Sequence, residues 1–299
     1  MLTQTENKVR IEGILSEIDL APRTFKKNGV EVNAVGGSIK VRVPQSANGS
    51  DCEVPVHMFA PEFTNSGSPN PAYESISKVM KEFSSIAAVG LDSADRIRIT
   101  GATITMNEYY GQNGNLVSFP RITASFVTKI RKDDCKPSAT FDTVFVIGSM
   151  GYETDKDGVE TDRFKISAIL PQYGGKVDIV PFYASTKSVA DSIQNYWNVG
   201  DTVKAHGRLN FSSKTEVVSK ELGFGESSEQ TRTISVSELL ITAGVPEPMS
   251  GEFALDADEV TAALADRKAR LAALKDKGAA KVQPVSKTAI GNKFKDYGF

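Results

Sequence analysis

The sequence predicts an all-β protein with little helix: two small barrels in tandem, then one helix and a polar tail. Three observations carry this. Short apolar–polar alternations of period two recur through residue 242, the pattern of half-buried strands. The same order of elements appears twice. After residue 241 the composition changes, and Ala, Leu, Asp, Lys and Arg dominate.

The repeat sets the elements in order. Val9-Arg10-Ile11-Glu12-Gly13 corresponds to Val144-Phe145-Val146-Ile147-Gly148 as the opening strand. Ser38-Ile39-Lys40-Val41-Arg42-Val43 echoes Arg163-Phe164-Lys165-Ile166-Ser167-Ala168. The third strands, 52–60 and 177–184, each end in an aromatic residue followed by alanine. Helices are predicted at 73–83 and 189–197. Asp95 to Gly101 and Asp201 to Gly207 are alternating strands that run from aspartate to glycine. Glycine there lets a strand bend to close a barrel. The last strands are 122–130 and 234–241. Duplication of one unit accounts for this order, with domains at 1–131 and 139–244. The polar, proline-bearing stretch 131–139 is the linker.

A second break falls at Ala243-Gly244-Val245-Pro246-Glu247-Pro248. Beyond it, 254–278 predicts an amphipathic helix, capped by Asp256 or Asp258 and ended by Gly278. Val260, Leu264, Leu271 and Leu274 fall near one stripe. That stripe packs on its own barrel, or serves a partner or self-association. Residues 279–299 lack periodicity and predict a flexible tail.

Composition bounds the function. Lys and Arg number 35 and Asp and Glu 37, for a net charge of −2, with 40% hydrophobic and 24% charged residues. These are the values of a soluble globular protein. No apolar run is long enough to span a membrane. The N-terminus lacks the basic and apolar regions of a signal peptide, so a cytoplasmic location is expected. Two cysteines, Cys52 and Cys135, do not make a disulfide framework or a Cys-rich metal site. Two histidines, His57 and His206, both in predicted strands, argue against multi-histidine metal sites. Asp155-Lys156-Asp157-Gly158 lacks EF-hand spacing and a following helix. Gly111-Gln112-Asn113-Gly114 lacks the length and Lys-Ser/Thr ending of a phosphate loop, and Gly223-Phe224-Gly225 lacks a dinucleotide fingerprint. No Gly-x-Ser-x-Gly elbow occurs. The expectation is a protein that is not an enzyme and needs no cofactor or metal.

With a single helix between the third and fourth strands, the pattern resembles the OB-fold, a five-stranded barrel. Trp197-Asn198-Val199-Gly200-Asp201-Thr202-Val203 looks like the helix exit entering the fourth strand. Over residues 7–242 the chain resembles a bacteriophage-type single-stranded DNA-binding protein with two OB-folds in tandem. The resemblance implies a protein that coats and protects single-stranded DNA, without sequence specificity, in phage replication, recombination and repair. Tyr297 and Phe299 are similar to the aromatic tail tip by which such proteins dock on replication or recombination partners. Those tails are usually strongly acidic, whereas Lys287, Lys293 and Lys295 make this one slightly basic.

The residues supply matching chemistry. Single strands are held by a basic groove that tracks phosphates and by aromatic rings that stack on bases. In the second strand, Lys40 and Arg42 alternate with Ile39, Val41 and Val43; in the fourth, Arg96 and Arg98 alternate with Ile97 and Ile99. Apolar residues turned inward place the basic ones outside. In OB-folds the loops between strands 1–2 and 4–5 flank the binding face. The first holds Arg23, Phe25, Lys26 and Lys27 beside an Asn28-Gly29 turn. The second holds Tyr109 and Tyr110, of which at most one faces the core, with Phe119 and Arg121 on the return strand.

The second unit offers Lys165, Tyr173, Lys176, Phe182, Tyr183, Lys204, Arg208 and Phe211, with Phe224 on a long hairpin. Its first loop carries five acids, Glu153, Asp155, Asp157, Glu160 and Asp162, against Lys156 and Arg163. The first unit is therefore expected to dominate binding. The competing readings are a virion structural module that uses its barrels for protein contacts, and an RNA-binding module.

Overall fold

Alternating Val9, Ile11 and Leu15, all essentially unexposed, make Asn7–Lys27 a long strand, β1. The computed structural model describes residues 2–44, 52–111, 113–155, 157–220 and 228–281, with 213–220, 228–235 and 276–281 as backbone alone. β1 turns at Asn28 (φ 51°) and Gly29 (φ 82°), the left-handed pair that a tight hairpin needs. It returns as β2 (Val30–Val43), followed by β3 (Cys52–Pro61). Helix α1 (Pro71–Glu82) is capped by the Asn70 side chain, which accepts from the Ala72 N–H, and buries Ile76 and Val79. A short turn of helix, α2 (Ile86–Val89), leads to β4 (Arg96–Tyr110) and β5 (Leu116–Thr123).

Pairing closes these strands into a barrel. β1 runs antiparallel to β2 from Ile14 onward and to β4 over Val9 to Ile14. β5 runs antiparallel to β4 and parallel to β3 at Val56↔Ile122. One strand can serve two neighbours because Gly13 sits at the changeover. A Cβ there would lie 2.4 Å from the Arg42 carbonyl oxygen, closer than any real contact. The expected strand 122–130 is interrupted after Thr123, where the Ala124 N–H bonds to the His57 carbonyl. A separate β6 (Thr128–Ile130) then pairs with the start of β4.

The second unit follows the same circuit: β7 (Ser138–Thr154), β8 (Glu160–Pro171), β9 (Val177–Ala184), α3 (Lys187–Tyr196), β10 (Thr202–Lys220) and β11 (Ser228–Gly244). β7 pairs with β8 and β10, and β9 runs parallel to β11 at Leu240↔Tyr183. Two five-stranded Greek-key barrels, each with a helix between strands three and four, are two OB-folds.

The cores differ in kind. The first is aliphatic, built on Ile11, Leu15, Ile39, Ile97, Ile99, Ile104 and Ile122; the second is aromatic, built on Phe141, Phe145, Phe164 and Phe182. Phe145 and Phe182 stack at 5.1 Å. This corrects the expectation for Phe182, which is fully buried. Adjacent strand residues face opposite ways, so Tyr183 takes the outside and Phe182 the core. Phe211 is 4% exposed, in line with the inward row Val203, Ala205 and Leu209, and likewise presents no ring to a ligand.

The barrels share one continuous sheet of eleven strands. Its junction is the antiparallel pairing of β1 with β7, from Asn7↔Thr143 to Glu12↔Ser138. Because these are the equivalent strands of the two units, the junction has an approximate local two-fold axis. Helix α4 (Ala257–Lys281) lies on both barrels. Val260 and Ala263 are buried with Leu2, Val146, Ile169 and Val177. Arg267 pairs with Glu108 of β4, and Arg270 approaches Asp178 of β9 at 3.8 Å. The predicted stripe thus packs on its own chain, save that Leu274 remains 38% exposed. Among the described residues no helix is long and apolar enough to cross a membrane, and no cluster of His, Cys, Asp and Glu is arranged to hold a metal ion.

Candidate nucleic-acid interface

In β3 the buried Val54, Val56, Met58 and Ala60 turn His57 and Phe59 outward. Phe59 is 54% exposed. Its ring lies across Gly36, its register partner on β2; a Cβ on Gly36 would come within 2.8 Å of that ring. Phe25, near the tip of the β1–β2 hairpin, brings its ring to 5.7 Å from Phe59, tilted by 54°. Lys26 and Lys27 are exposed beside it, and the Lys27 ammonium donates to Asn65 Oδ1 at 2.6 Å.

Beside the two rings opens a cleft of about 620 Å³, lined among others by Arg23, His57, Phe59, Thr103, Arg121 and Thr123. Arg23 Nε donates to the Gly36 carbonyl at 3.1 Å, which fixes the guanidinium at the cleft wall. Arg121 Nε is buried without a hydrogen-bond partner. Burial, and next the Arg121 charge, hold His57 below its ordinary pKa of 6.5. His57 is therefore neutral at pH 7, and the cleft's charge comes from two arginines. Further along the same wall, Tyr109 and Phe119 meet edge to face at 6.4 Å and 88°. Both are exposed, at 47% and 39%. Tyr110, one residue on, is half-buried. One wall thus carries two aromatic pairs, with Phe59, Tyr109 and Phe119 exposed and Phe25 half-buried, and an arginine-lined cleft between strands β3, β4 and β5.

Lys40 and Arg42 stand on the same wall but on neutralised ground. Lys40 pairs with Glu17 at 2.6 Å, which raises the lysine pKa. Arg42 stands opposite Glu53 in register.

The equivalent wall of the second barrel is closed. Tyr183 occupies the place of Phe59, and Lys165 that of Gly36: Ala21, Gly36 and Phe59 form one row, and Gly151, Lys165 and Tyr183 the other. Glu153 lies two residues past Gly151, as Arg23 lies two past Ala21. Arg163 packs over the Tyr183 ring at 4.5 Å and pairs with Glu153 at 3.1 Å and Glu238 at 2.7 Å. Lys165 also reaches Glu153, at 3.3 Å. The ring face and both cations are already engaged by the protein itself. Tyr173, 85% exposed, stands in the β8–β9 turn away from this wall.

The remaining basic residues expected at the site lie elsewhere. Arg96 and Arg98 of β4 and Lys204 and Arg208 of β10 belong to the wall that crosses the barrel junction. Arg98 pairs with Glu12 and Lys204 with Glu6, each at 2.7 Å. Arg96 is tied to the carbonyls of Leu91 and Ala94. Phe224, Tyr297 and Phe299 lie outside the described residues. Two members of the wall escape a reading that looks for basic loops: His57 and Phe59. Strict alternation from Cys52 to Ala60 is the signal that places them outside.

The fold and this wall define a tandem OB-fold protein with one open, aromatic and arginine-bearing face. The chain belongs to the YorF family, whose model matches residues 5–277. No curated protein matches it. Among solved structures it is similar to the wild-type single-stranded DNA binding protein from Thermus aquaticus. That likeness has 10% identity and a TM-score of 0.46, over 83% of this chain and 96% of that one. It is also similar to a deletion mutant of the same Thermus aquaticus protein. There the identity is 11% and the TM-score 0.42, over 83% and 97%.

Proposed function

We propose that this protein binds single-stranded DNA without sequence specificity, through the outer wall of the first barrel. The observation that carries the reading is the Phe25–Phe59 pair beside the cleft of Arg23 and Arg121. Exposed rings stack on any base, at about 1–3 kcal/mol per base. Arginines beside them neutralise phosphates and release counterions. A ligand phosphate also supplies the acceptor that the buried Arg121 Nε lacks. The equivalent wall of the second barrel adds no aromatic site, because its own carboxylates engage Arg163 and Lys165. The mode of action is stoichiometric: coating exposed strands, removing hairpins and presenting the strand to other proteins. Its setting in phage replication, recombination or repair, and the docking of partners through Tyr297 and Phe299, rest on the sequence resemblance.

The test is fluorescence anisotropy of labelled oligo-dT at low and moderate salt, with duplex competitor. Tight binding that weakens with salt is expected. Phe25→Ala and Phe59→Ala should each lose about 1–3 kcal/mol, a roughly 5- to 150-fold weaker Kd. Lys40→Gln, already paired with Glu17, should change little. Absence of binding at low salt overturns the proposal.

A further inference from the structure

The wall that crosses the barrel junction is a second charged surface. Strands β10, β7, β1 and β4 lie side by side there. At about 4.8 Å per strand they make a band about 15 Å across. Val203, Ala205, Val9, Ile11, Ile97 and Ile99 face the cores, so the alternate residues face out. These include Lys8, Arg10, Arg96, Arg98, Lys204 and Arg208, six permanent cations. The carboxylates among them are three, Glu6, Glu12 and Asp142. Two are shared: Glu6 between Lys204 at 2.7 Å and Lys8 at 3.2 Å, and Asp142 between Arg10 and His206. Arg208 is exposed and has no carboxylate partner among the described residues.

The field of the band acts on its acids accordingly. Lys204 holds Glu6 below the usual carboxylate range, and Arg98 does the same for Glu12. At Asp142 burial works upward, and the hydrogen bonds from His206 and Arg10 outweigh it. No Phe, Tyr or Trp faces outward on this stretch of the four strands, so the band has no platform for a base. Its chemistry suits a polyanion recognised by charge alone.

We propose that this band is a second nucleic-acid surface, one that contacts the phosphodiester backbone without reading or stacking bases. It goes beyond the aromatic wall and rests on the reading of that wall as a DNA-binding face. The backbone reaching it is either the continuation of a long single strand or a duplex beside it.

The test uses the full chain and the triple variant Arg98→Gln, Lys204→Gln, Arg208→Gln. Three labelled probes are compared across a salt series: oligo-dT of about 8 nucleotides, oligo-dT of about 40 nucleotides, and a blunt duplex of about 20 base pairs. The short probe fits within the site size of one barrel. The variant should bind it as the parent does. With a longer backbone ligand the variant should bind at least about 10-fold more weakly. Its salt slope should fall by about 2 for single strands or about 3 for duplex. Loss with the long single strand alone assigns the band to that strand's continuation, and loss with the duplex assigns it to duplex. Unchanged affinity and slope for both longer probes overturns the proposal, as does an equal loss with the short probe, which would merge the two surfaces. Failure of the parent to bind the short probe counts against the aromatic wall instead. Arg208→Gln alone, which breaks no ion pair, gives the same comparison should the triple variant not fold.

Discussion

His57 shows how a single side chain tunes the wall. It is half-buried beside Arg121, and both burial and that charge keep it neutral. A phosphate in the cleft reverses the local charge, so the bound state raises the His57 pKa and binding takes up a proton. DNA affinity should therefore increase as pH falls below neutrality. Anisotropy between about pH 8 and about pH 5.5 measures this, and loss of the dependence in His57→Gln assigns it to this residue. A pH-independent affinity in the parent would show that no phosphate approaches His57. The sign for stability is opposite. With its folded pKa depressed, His57 favours the folded state above about 6.5, and that contribution is lost as pH falls through the depressed value. The same scale shows what alternation makes legible. It separates Phe182 from Tyr183 and Tyr109 from Tyr110, and it turns Phe59 outward. Basic loops and adjacent aromatics draw attention to Phe25 and Tyr109, but only the alternation itself finds Phe59.

Among the elements, α4 has a consequence for the wall it does not touch. Arg267 and Glu108 form an ion pair with side chains 14% and 6% exposed, and the Ser118 hydroxyl also donates to Glu108, at 3.3 Å. Glu108 precedes Tyr109 on β4, so the helix fastens the turn end of the hairpin whose other face carries the Tyr109–Phe119 pair. Breaking a buried pair from one side leaves a charge without compensation, at a cost of about 3 kcal/mol or more. Arg267→Met should lower stability to urea by that order and weaken oligo-dT binding with it. Adding Glu108→Gln should recover part of both, because no charge is then stranded. Full stability in the single variant would remove α4 from any role in positioning the hairpin. Sequence periodicity anticipates the helix and its apolar stripe. It gives no sign that the stripe continues through an arginine, since the pair's other half lies on a distant strand.

For the molecule as a whole, the repeat produces two like barrels with unlike outer walls. In the first, Arg23, Gly36 and Phe59 leave rings and guanidinium groups open. In the second, Glu153, Lys165 and Tyr183 stand at the matching places, and Arg163 covers the tyrosine. The barrels are nevertheless one structural unit. They share the β1–β7 ladder, the Gln172 side chain of the second barrel donates to the Ile104 carbonyl of the first at 2.9 Å, and the Met106 N–H of the first donates to Asp178 of the second at 3.0 Å. Phe211 N–H reaches across to Cys52 Sγ at 3.4 Å, and α4 spans both. Calorimetry should therefore record one cooperative unfolding transition. Two resolved transitions would mean that the ladder and α4 couple the barrels weakly.

Strand periodicity, the Asn28-Gly29 turn, the paired glycines Gly13 and Gly148, and the Asp256 cap are local signals, whereas Gly278, expected to end the terminal helix, lies inside it. From them the sequence by itself determined two OB-folds and a terminal helix. Tertiary structure alone decided which charges remain available. Arg163 meets Glu238 across strands far apart in the chain, whereas Arg208 meets no carboxylate among the described residues. Hydrophobic periodicity tells which face a side chain takes. A cation's availability depends on the neighbour that the barrel's register brings beside it, and register between distant strands is set only when the barrel closes.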